Sequence, residues 1–145
     1  MIGMPLVLYA EDEESDAIIL QRTFKKANLA NPLVIVKDGQ AAVDYLSGCA
    51  PYTNRNEHPL PALLLLDLKM PRMTGFDVLA WIGTRPELQG IPAVVLSSSS
   101  SDADIRKAQG MGARDYLVKP NDLGQYLKIV QGLHARWLTS VSSRL

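Results

Sequence analysis

The sequence predicts an α/β protein of the doubly wound class, with an open, parallel five-stranded sheet and helices on both faces. Three observations carry that reading. Five apolar runs of strand length recur along 145 residues. They are continuously apolar rather than alternating, as parallel strands covered on both faces require. Stretches of helical spacing separate them, so each strand feeds a crossover helix, which in an open sheet is right-handed. The length is near the ~150 residues of one typical domain, and the chain is read as a single domain, 1–145, with its core over about 5–138.

The first strand covers residues 6–10. After it, Ala17, Leu20, Phe24 and Ala27 fall on one helical face at offsets of 3, 7 and 10, and Arg22, Lys25 and Lys26 lie toward that helix's C-terminus, where cations suit its dipole. The second strand is 33–36, and a weaker helical pattern runs over about 40–46. Residues 48–61 contain Cys49, Pro51, Asn54, Asn56 and Pro59, a loop composition longer than the usual helix-to-strand connection. This segment reads as a surface insertion outside the core, partner-facing or merely tolerated, so a Gly/Ser replacement of 53–57 is expected to leave stability nearly unchanged.

The third strand, 62–66, precedes a helical pattern at about 76–82. The fourth, 93–96, runs into five consecutive serines, 97–101. Such a run could be a low-complexity linker, but its place between a strand and Asp102-Ala103-Asp104 favours a loop and helix N-cap. That helix extends over about 102–111. The fifth strand is 116–118, and the last helix runs from Asp122 to about Leu138. Leu123, Leu127, Val130 and Leu133 form its expected core face, while Tyr126, Ile129, Trp137, Leu138 and Val141 exceed one amphipathic stripe.

Hydrophobic residues make up 47% of the chain and charged ones 21%, a globular composition able to bury a core. Fifteen Lys and Arg balance fifteen Asp and Glu. That removes the whole-molecule field that would favour nucleic acid or an anionic membrane, so neither is an expected partner. One cysteine, Cys49, cannot close an internal disulfide, and His58 and His134 are too few for a Cys/His zinc site. With no signal segment or stretch of membrane-spanning length, a cytoplasmic protein is expected.

Five of the fifteen acids fall in Glu11-Asp12-Glu13-Glu14-Ser15-Asp16. Glu13, Glu14 and Asp16 fit the ordinary preference of carboxylates for a helix N-terminus, ~0.3–1 kcal/mol each. Glu11 and Asp12 come instead where the first strand ends, at the edge where open α/β sheets form their ligand crevice. Asp67 terminates the run 63–66 and should emerge at the same edge. With an effective dielectric of ~20 and a separation of ~5 Å, each like-charged pair costs about 3 kcal/mol. Three bare carboxylates would then protonate in part or spread apart. A divalent cation resolves the repulsion, and hard oxygen donors in this number suit Mg²⁺.

Ser97 follows the fourth strand and Lys119-Pro120 the fifth. A hydroxyl and a fixed cation facing a metal-bound carboxylate make a socket for a tetrahedral dianion attached to that carboxylate. The chemistry indicated is phosphoryl transfer. Asp67 is the nucleophile, Mg²⁺ offsets the charge on the equatorial oxygens, and Ser97 and Lys119 grip two of those oxygens. Taken singly, a strand-end Asp, a Ser in a serine run and a Lys before Pro are ordinary turn formers or solvated groups. Their convergence after the first, third, fourth and fifth strands gives the pattern its weight.

These stretches resemble the response-regulator receiver domain of two-component signalling. The matching segments are Leu6-Val7-Leu8-Tyr9-Ala10-Glu11-Asp12-Glu13, Leu65-Leu66-Asp67-Leu68-Lys69-Met70-Pro71-Arg72-Met73-Thr74-Gly75-Phe76-Asp77, Ile91-Pro92-Ala93-Val94-Val95-Leu96-Ser97 and Gly112-Ala113-Arg114-Asp115-Tyr116-Leu117-Val118-Lys119-Pro120. The resemblance implies a flavodoxin-like sheet of order 2-1-3-4-5, with Asp67 taking a phosphoryl group from the phosphohistidine of a sensor histidine kinase. It implies that Glu11, Asp12, Asp67 and the backbone carbonyl of Lys69 hold Mg²⁺, that Ser97 and Tyr116 report phosphorylation, and that Lys119 precedes a cis proline. Segments 46–62 and 131–138 are more narrowly similar to single-domain regulators paired with phytochrome-type kinases. The chain departs from the common pattern at Glu11 (usually Asp), Ser97 (usually Thr), Ser98 (usually small and apolar) and Asn121 (usually bulky and apolar). Lys69 and Ser99 occupy positions that tune hydrolysis in the family.

Two other readings share parts of the pattern. An aspartate-nucleophile phosphatase of the haloacid dehalogenase type needs a second Asp two residues after the nucleophile, where this chain has Lys69. A receiver-like platform that signals without phosphorylation would not need Asp12, Asp67, Ser97 and Lys119 together. Only 26 residues follow Lys119, and the last helix uses most of them. Output is therefore expected through protein contacts rather than an attached effector domain. If the family's switch carries over, a homodimer through the fourth helix, fifth strand and fifth helix is the expected assembly.

Overall fold

The computed structural model describes residues 4–139. Its strands are β1 Val7–Ala10, β2 Leu33–Val36, β3 Leu63–Leu66, β4 Ala93–Ser97 and β5 Asp115–Val118. They form one sheet in the order β2-β1-β3-β4-β5, with every neighbouring pair parallel. Helices α1 Glu14–Lys26, α2 Gly39–Ser47, α3 Gly75–Gly83, α4 Asp102–Gly110 and α5 Leu123–Leu133 alternate with the strands. The doubly wound class and the strand order are those expected.

Successive strand side chains point to opposite faces, which divides the core in two. Leu8, Ala10, Leu64, Leu66 and Val95 pack with Val43 and Leu46 of α2 and Val78 and Leu79 of α3. Tyr9, Leu63, Leu65, Val94 and Leu96 meet Leu20 and Phe24 of α1 and Tyr126 and Val130 of α5 on the other side. The inner strands β1, β3 and β4 are buried throughout, whereas the edge strands β2 and β5 are largely half-exposed. Each large aliphatic side chain so buried contributes ~1.5–3 kcal/mol.

Asp38, Thr74, Ser101 and Asp122 cap α2, α3, α4 and α5, each accepting the N–H three residues on. The exit from β3 is tight. A Cβ at Gly75 would collide with the Asp67 carbonyl oxygen, so glycine there lets α3 start directly beneath the strand end.

The structure departs from the sequence reading at the last helix. Leu123, assigned to the core, is 60% exposed, while Tyr126 and Leu138 are buried with Val130 and Leu133. Leu123 is the first residue after the Asp122 cap, before α5 settles against the sheet. Farther on, a π-helical turn over His134–Leu138 adds a residue to the local repeat, so Leu138 succeeds Leu133 in the buried stripe and Trp137 is only half-buried. Val141 lies outside the described residues.

The 48–61 segment is also more than a tolerated insertion. Arg55 donates from Nη1 to the Tyr45 and His58 carbonyls at 2.8 and 3.1 Å and from Nη2 to the Leu46 carbonyl at 2.9 Å. Tyr52 and His58 pack with Tyr45 at ring-centroid separations of 4.9–5.9 Å, and Tyr52 joins the core on the α2–α3 side. These contacts argue against the expectation that 53–57 can be replaced without loss. An arginine amid polar loop residues gives no sequence sign of the carbonyls it will meet. The cis peptide among the described residues is Ala50–Pro51, and Lys119–Pro120, implied to be cis by the resemblance, is trans. Proline amide isomers differ by only about 0.5–1 kcal/mol, so the dipeptide alone does not choose between them.

Candidate functional site

Parallel strands end at one edge of the sheet, and that edge gathers the candidate residues. Glu11 leaves β1 with its N–H bonded to the Val36 carbonyl at 2.9 Å, and Asp67 leaves β3 with its N–H on the Ala10 carbonyl at 3.0 Å. These backbone bonds place both residues within the sheet's frame. Glu11 is 1% exposed, Asp67 is 5% exposed, and Asp12 is exposed. One carboxylate oxygen from each of the three lies within 4.8 Å of the others.

Glu11 is held on several sides. Its Oε1 accepts the Tyr9 hydroxyl at 2.7 Å and its Oε2 accepts the Glu13 N–H at 3.1 Å. Asp67 Oδ1 accepts the Leu68 N–H at 2.8 Å. The Lys119 ammonium lies 2.7 Å from Glu11 Oε1, 2.7 Å from Asp16 Oδ2 and 3.5 Å from Asp67 Oδ2, with its side chain 8% exposed. Burial first, and then the neighbouring Glu11 charge, push the Asp67 carboxyl up to about 7 against the opposing pull of Lys119. Burial works against the Lys119 ammonium too, but its bonds to Asp16 and Glu11 and the charge of Asp67 hold it above the ordinary lysine value. Burial and Glu11 drive the Tyr9 phenol far upward, so it stays a donor.

Ser97, the last residue of β4, is buried, and its Oγ accepts the Ser99 N–H at 3.1 Å. Its carbonyl accepts the Lys119 N–H at 2.7 Å, which ties the ends of β4 and β5 together. Tyr116 is half-buried and donates its hydroxyl to the Ser99 carbonyl at 2.8 Å. The Ser99 hydroxyl in turn donates to Asp104 Oδ2 at 2.6 Å. Lys69 is exposed in the loop after β3, where it lines a cavity of about 580 Å³ with Asp12, Met70, Phe76 and Asp104.

The structure thus brings Glu11, Asp12, Asp67 and Lys119 together, with Ser97 and Tyr116 linked through the β4–α4 loop. Two participants escaped the sequence reading. Tyr9 left a signal, since a polar-tipped aromatic two residues before Glu11 must share that residue's side of the strand. Asp16 left none, because an acid in the first helical turn already has a sufficient local reason to be there.

The donor set fits a divalent cation. Three hard oxygens converge, and even beside Lys119 burial and then the Glu11 charge leave the Asp67 carboxyl raised, so positive charge is still wanted there. A 2-1-3-4-5 parallel sheet with an acidic trio and a lysine at its strand ends defines the receiver class. Residues 7–131 match the response regulator receiver domain family, and the chain belongs to that family.

Among its relatives is response regulator Rcp1 of Synechocystis sp., 35% identical over 94% of this chain and 91% of Rcp1. The Mn²⁺-bound form of Rcp1 superposes with a TM-score of 0.82 at 34% identity, covering 94% of this chain and 96% of that one. Response regulator RPA3017, from red light signalling in R. palustris, gives a TM-score of 0.89 at 33% identity over 95% of this chain and 96% of that one. The phosphorylated cyanobacterial phytochrome response regulator RcpA gives 0.86 at 32% identity over 96% of this chain and 97% of that one. This chain is therefore a two-component response regulator related to phytochrome response regulators.

Proposed function

We propose that Asp67 is the phosphoacceptor and that the donor is the phosphohistidine of a sensor histidine kinase of the phytochrome type. One observation carries this reading: the Asp67 carboxylate is buried at a strand end, faces Glu11 and Asp12, and has the Lys119 ammonium 3.5 Å away. As the phosphorus–nitrogen bond of the donor breaks, a bond from an Asp67 carboxylate oxygen to phosphorus forms. Lys119 needs little movement to reach a phosphoryl oxygen. The Ser97 hydroxyl is used as an acceptor by the Ser99 N–H, so its own proton is available for a second phosphoryl oxygen.

Glu11, Asp12, Asp67 and the Lys69 carbonyl would hold Mg²⁺, which when bound offsets negative charge on the phosphoryl oxygens. The chain's chemistry is confined to its own phosphorylation and dephosphorylation, so it acts as a signal carrier rather than as an enzyme on other substrates. We place it in the cytoplasm, the compartment suited to an exposed, unpaired Cys49. No helix among the described residues is long and apolar enough to cross a membrane.

For output we propose a homodimer through α4, β5 and α5. Its support is the edge position of β5 and a hollow of about 270 Å³ beside it, lined by Leu117, Ile129, Leu133 and Trp137.

Acetyl phosphate labelling followed by Phos-tag electrophoresis tests the central reading. Wild type should give one retarded, alkali-labile band that requires a divalent cation, and Asp67→Asn should give none. Equal labelling of the two proteins refutes the assignment.

A further inference from the structure

We propose that Asp16 is a positioning residue for Lys119: it holds the ammonium beside Glu11 and away from Asp67 at rest, and releases it when a phosphoryl group occupies Asp67. The inference rests on the phosphoacceptor reading above.

The local structure of α1 frees Asp16 for this task. Asp16 is the third residue of its helix, the position from which an acid ordinarily reaches back to the N-cap amide. In α3, Asp77 does this and accepts the Thr74 N–H at 3.0 Å. In α1 the N-cap amide, that of Glu13, is already taken by Glu11 Oε2. Asp16 turns instead toward β5 and accepts from Lys119 Nζ at 2.7 Å across the edge of the sheet.

The distances describe a lysine drawn to one side. An ammonium has three protons. Asp16 and Glu11 each stand at 2.7 Å, while Asp67 stands at 3.5 Å. The Lys119 and Glu11 side chains are 8% and 0% exposed, whereas that of Asp16 is 27% exposed. Asp16 is therefore the partner that can most easily be left to water. A phosphoryl dianion on Asp67 concentrates more charge on that side and pulls Lys119 away from Asp16, whose carboxylate is then solvated.

Removing the Asp16 charge removes the competitor without loosening the lysine. Glu11 remains in contact with it, and the Lys119 N–H stays on the Ser97 carbonyl. Asp16→Asn should thus favour the phosphorylated form. A side-chain ion pair of intermediate exposure sets the scale, and the expected rise in phosphorylated fraction at limiting acetyl phosphate is roughly three-fold to ten-fold. The phosphoryl half-life should lengthen in the same direction.

The experiment compares wild type, Asp16→Asn and the charge-conserving Asp16→Glu by two measurements. The Lys119 side-chain ¹H–¹⁵N resonance, recorded without metal, should shift in Asp16→Asn and stay near wild type in Asp16→Glu. Phos-tag gels should show the raised phosphorylated fraction in Asp16→Asn alone. Should Asp16→Asn fold poorly in a urea melt, Asp16→Ser carries the same comparison. A changed urea midpoint with unchanged labelling and lifetime would mean a purely structural pair and overturn the proposal, as would an unshifted Lys119 resonance. Failure of the phosphoacceptor reading is distinguishable, because labelling would then be absent from every variant, wild type included.

Discussion

Asp38 does two jobs with one carboxylate. Oδ1 accepts the Ala41 N–H at 2.7 Å as the N-cap of α2, and Oδ2 takes the Arg72 guanidinium at 2.9 Å. Arg72 sits at a φ of 66°, in the left-handed region that a non-glycine residue seldom occupies, so the pair also secures the turn after β3. Burial pushes the Asp38 carboxyl up, but the Ala41 amide and the Arg72 guanidinium outweigh it and leave the group below its usual value of 3.8. A carboxyl lowered by folding contributes stability that is present in full above the unfolded value and is lost as pH falls through the folded one. Asp38→Ala should therefore destabilise the protein by about 1 kcal/mol near neutral pH, chiefly through the lost cap, since Arg72 is 73% exposed. The deficit should shrink below about pH 3.5, where the unfolded chain is protonated. Urea denaturation at the two pH values checks both signs, and a constant deficit would mean the carboxylate charge is irrelevant. At this same scale the sequence was legible wherever a functional side chain ends a strand. Asp67 follows Leu66, Ser97 closes β4 and Lys119 follows Val118, so topology alone delivers them to one edge. Asp16 was not legible, because its partner lies 103 residues away and nothing local marks it as unavailable for the helix end.

The elements were read well where apolar spacing decides them and less well where single polar contacts do. All five strands and five helices lie within a few residues of their expected places, because continuous apolar runs and helical stripes are strong, local signals. The buried stripe of α5 was misassigned at Leu138, because a π-helical turn resets the phase of the repeat, and at Leu123, because the first residue after the cap lies short of the sheet. The 46–62 connection escaped for a different reason. Arg55 adds donors at the C-terminal end of α2, where Gly48, at a φ of 76°, already gives its N–H to the Asp44 and Tyr45 carbonyls. Helix-end carbonyls need donors from somewhere, and here the bond to the Leu46 carbonyl and a second bond to that of Tyr45 come from an arginine nine and ten residues ahead. Arg55→Ala should lower stability by about 1–3 kcal/mol, the range for removing a charged donor from several half-buried acceptors. Arg55→Lys should recover only part of it, since one ammonium cannot reproduce the spread of the guanidinium fork. Thermal unfolding of both variants decides the matter, and an Arg55→Ala melt equal to wild type would restore the view of 48–61 as a passive insertion.

Across the whole molecule, the sheet order leaves β2 and β5 as edges, and the two differ in what flanks them. β5 ends on Val118, which is 40% exposed, and the Arg136–Asp115 pair at 2.9 Å lies at the start of the same strand. Between β5 and α5, Leu117, Ile129, Leu133 and Trp137 line the hollow described above. The path from the proposed phosphoacceptor to this edge is short. Ser97 is bonded to Ser99, Ser99 holds both the Tyr116 hydroxyl and Asp104 of α4, and Tyr116 belongs to β5 itself. A phosphoryl group that draws the Ser97 hydroxyl toward Asp67 therefore pulls on α4 and β5 together, the two elements that frame the edge. Two copies meeting through this face would form a symmetric contact in which each supplies the same patch. Phosphorylation should strengthen that contact, and Ile129→Glu should weaken it at least about ten-fold, because a carboxylate would be desolvated without a partner. Trp137→Ala should weaken it too, though at both positions part of the effect falls on the core that Ile129 and Trp137 also touch. Sedimentation velocity at tens of micromolar, with and without acetyl phosphate, separates the cases. A dimer in wild type that is lost in Ile129→Glu supports this face, whereas a wild-type monomer in both phosphorylation states rules the assembly out.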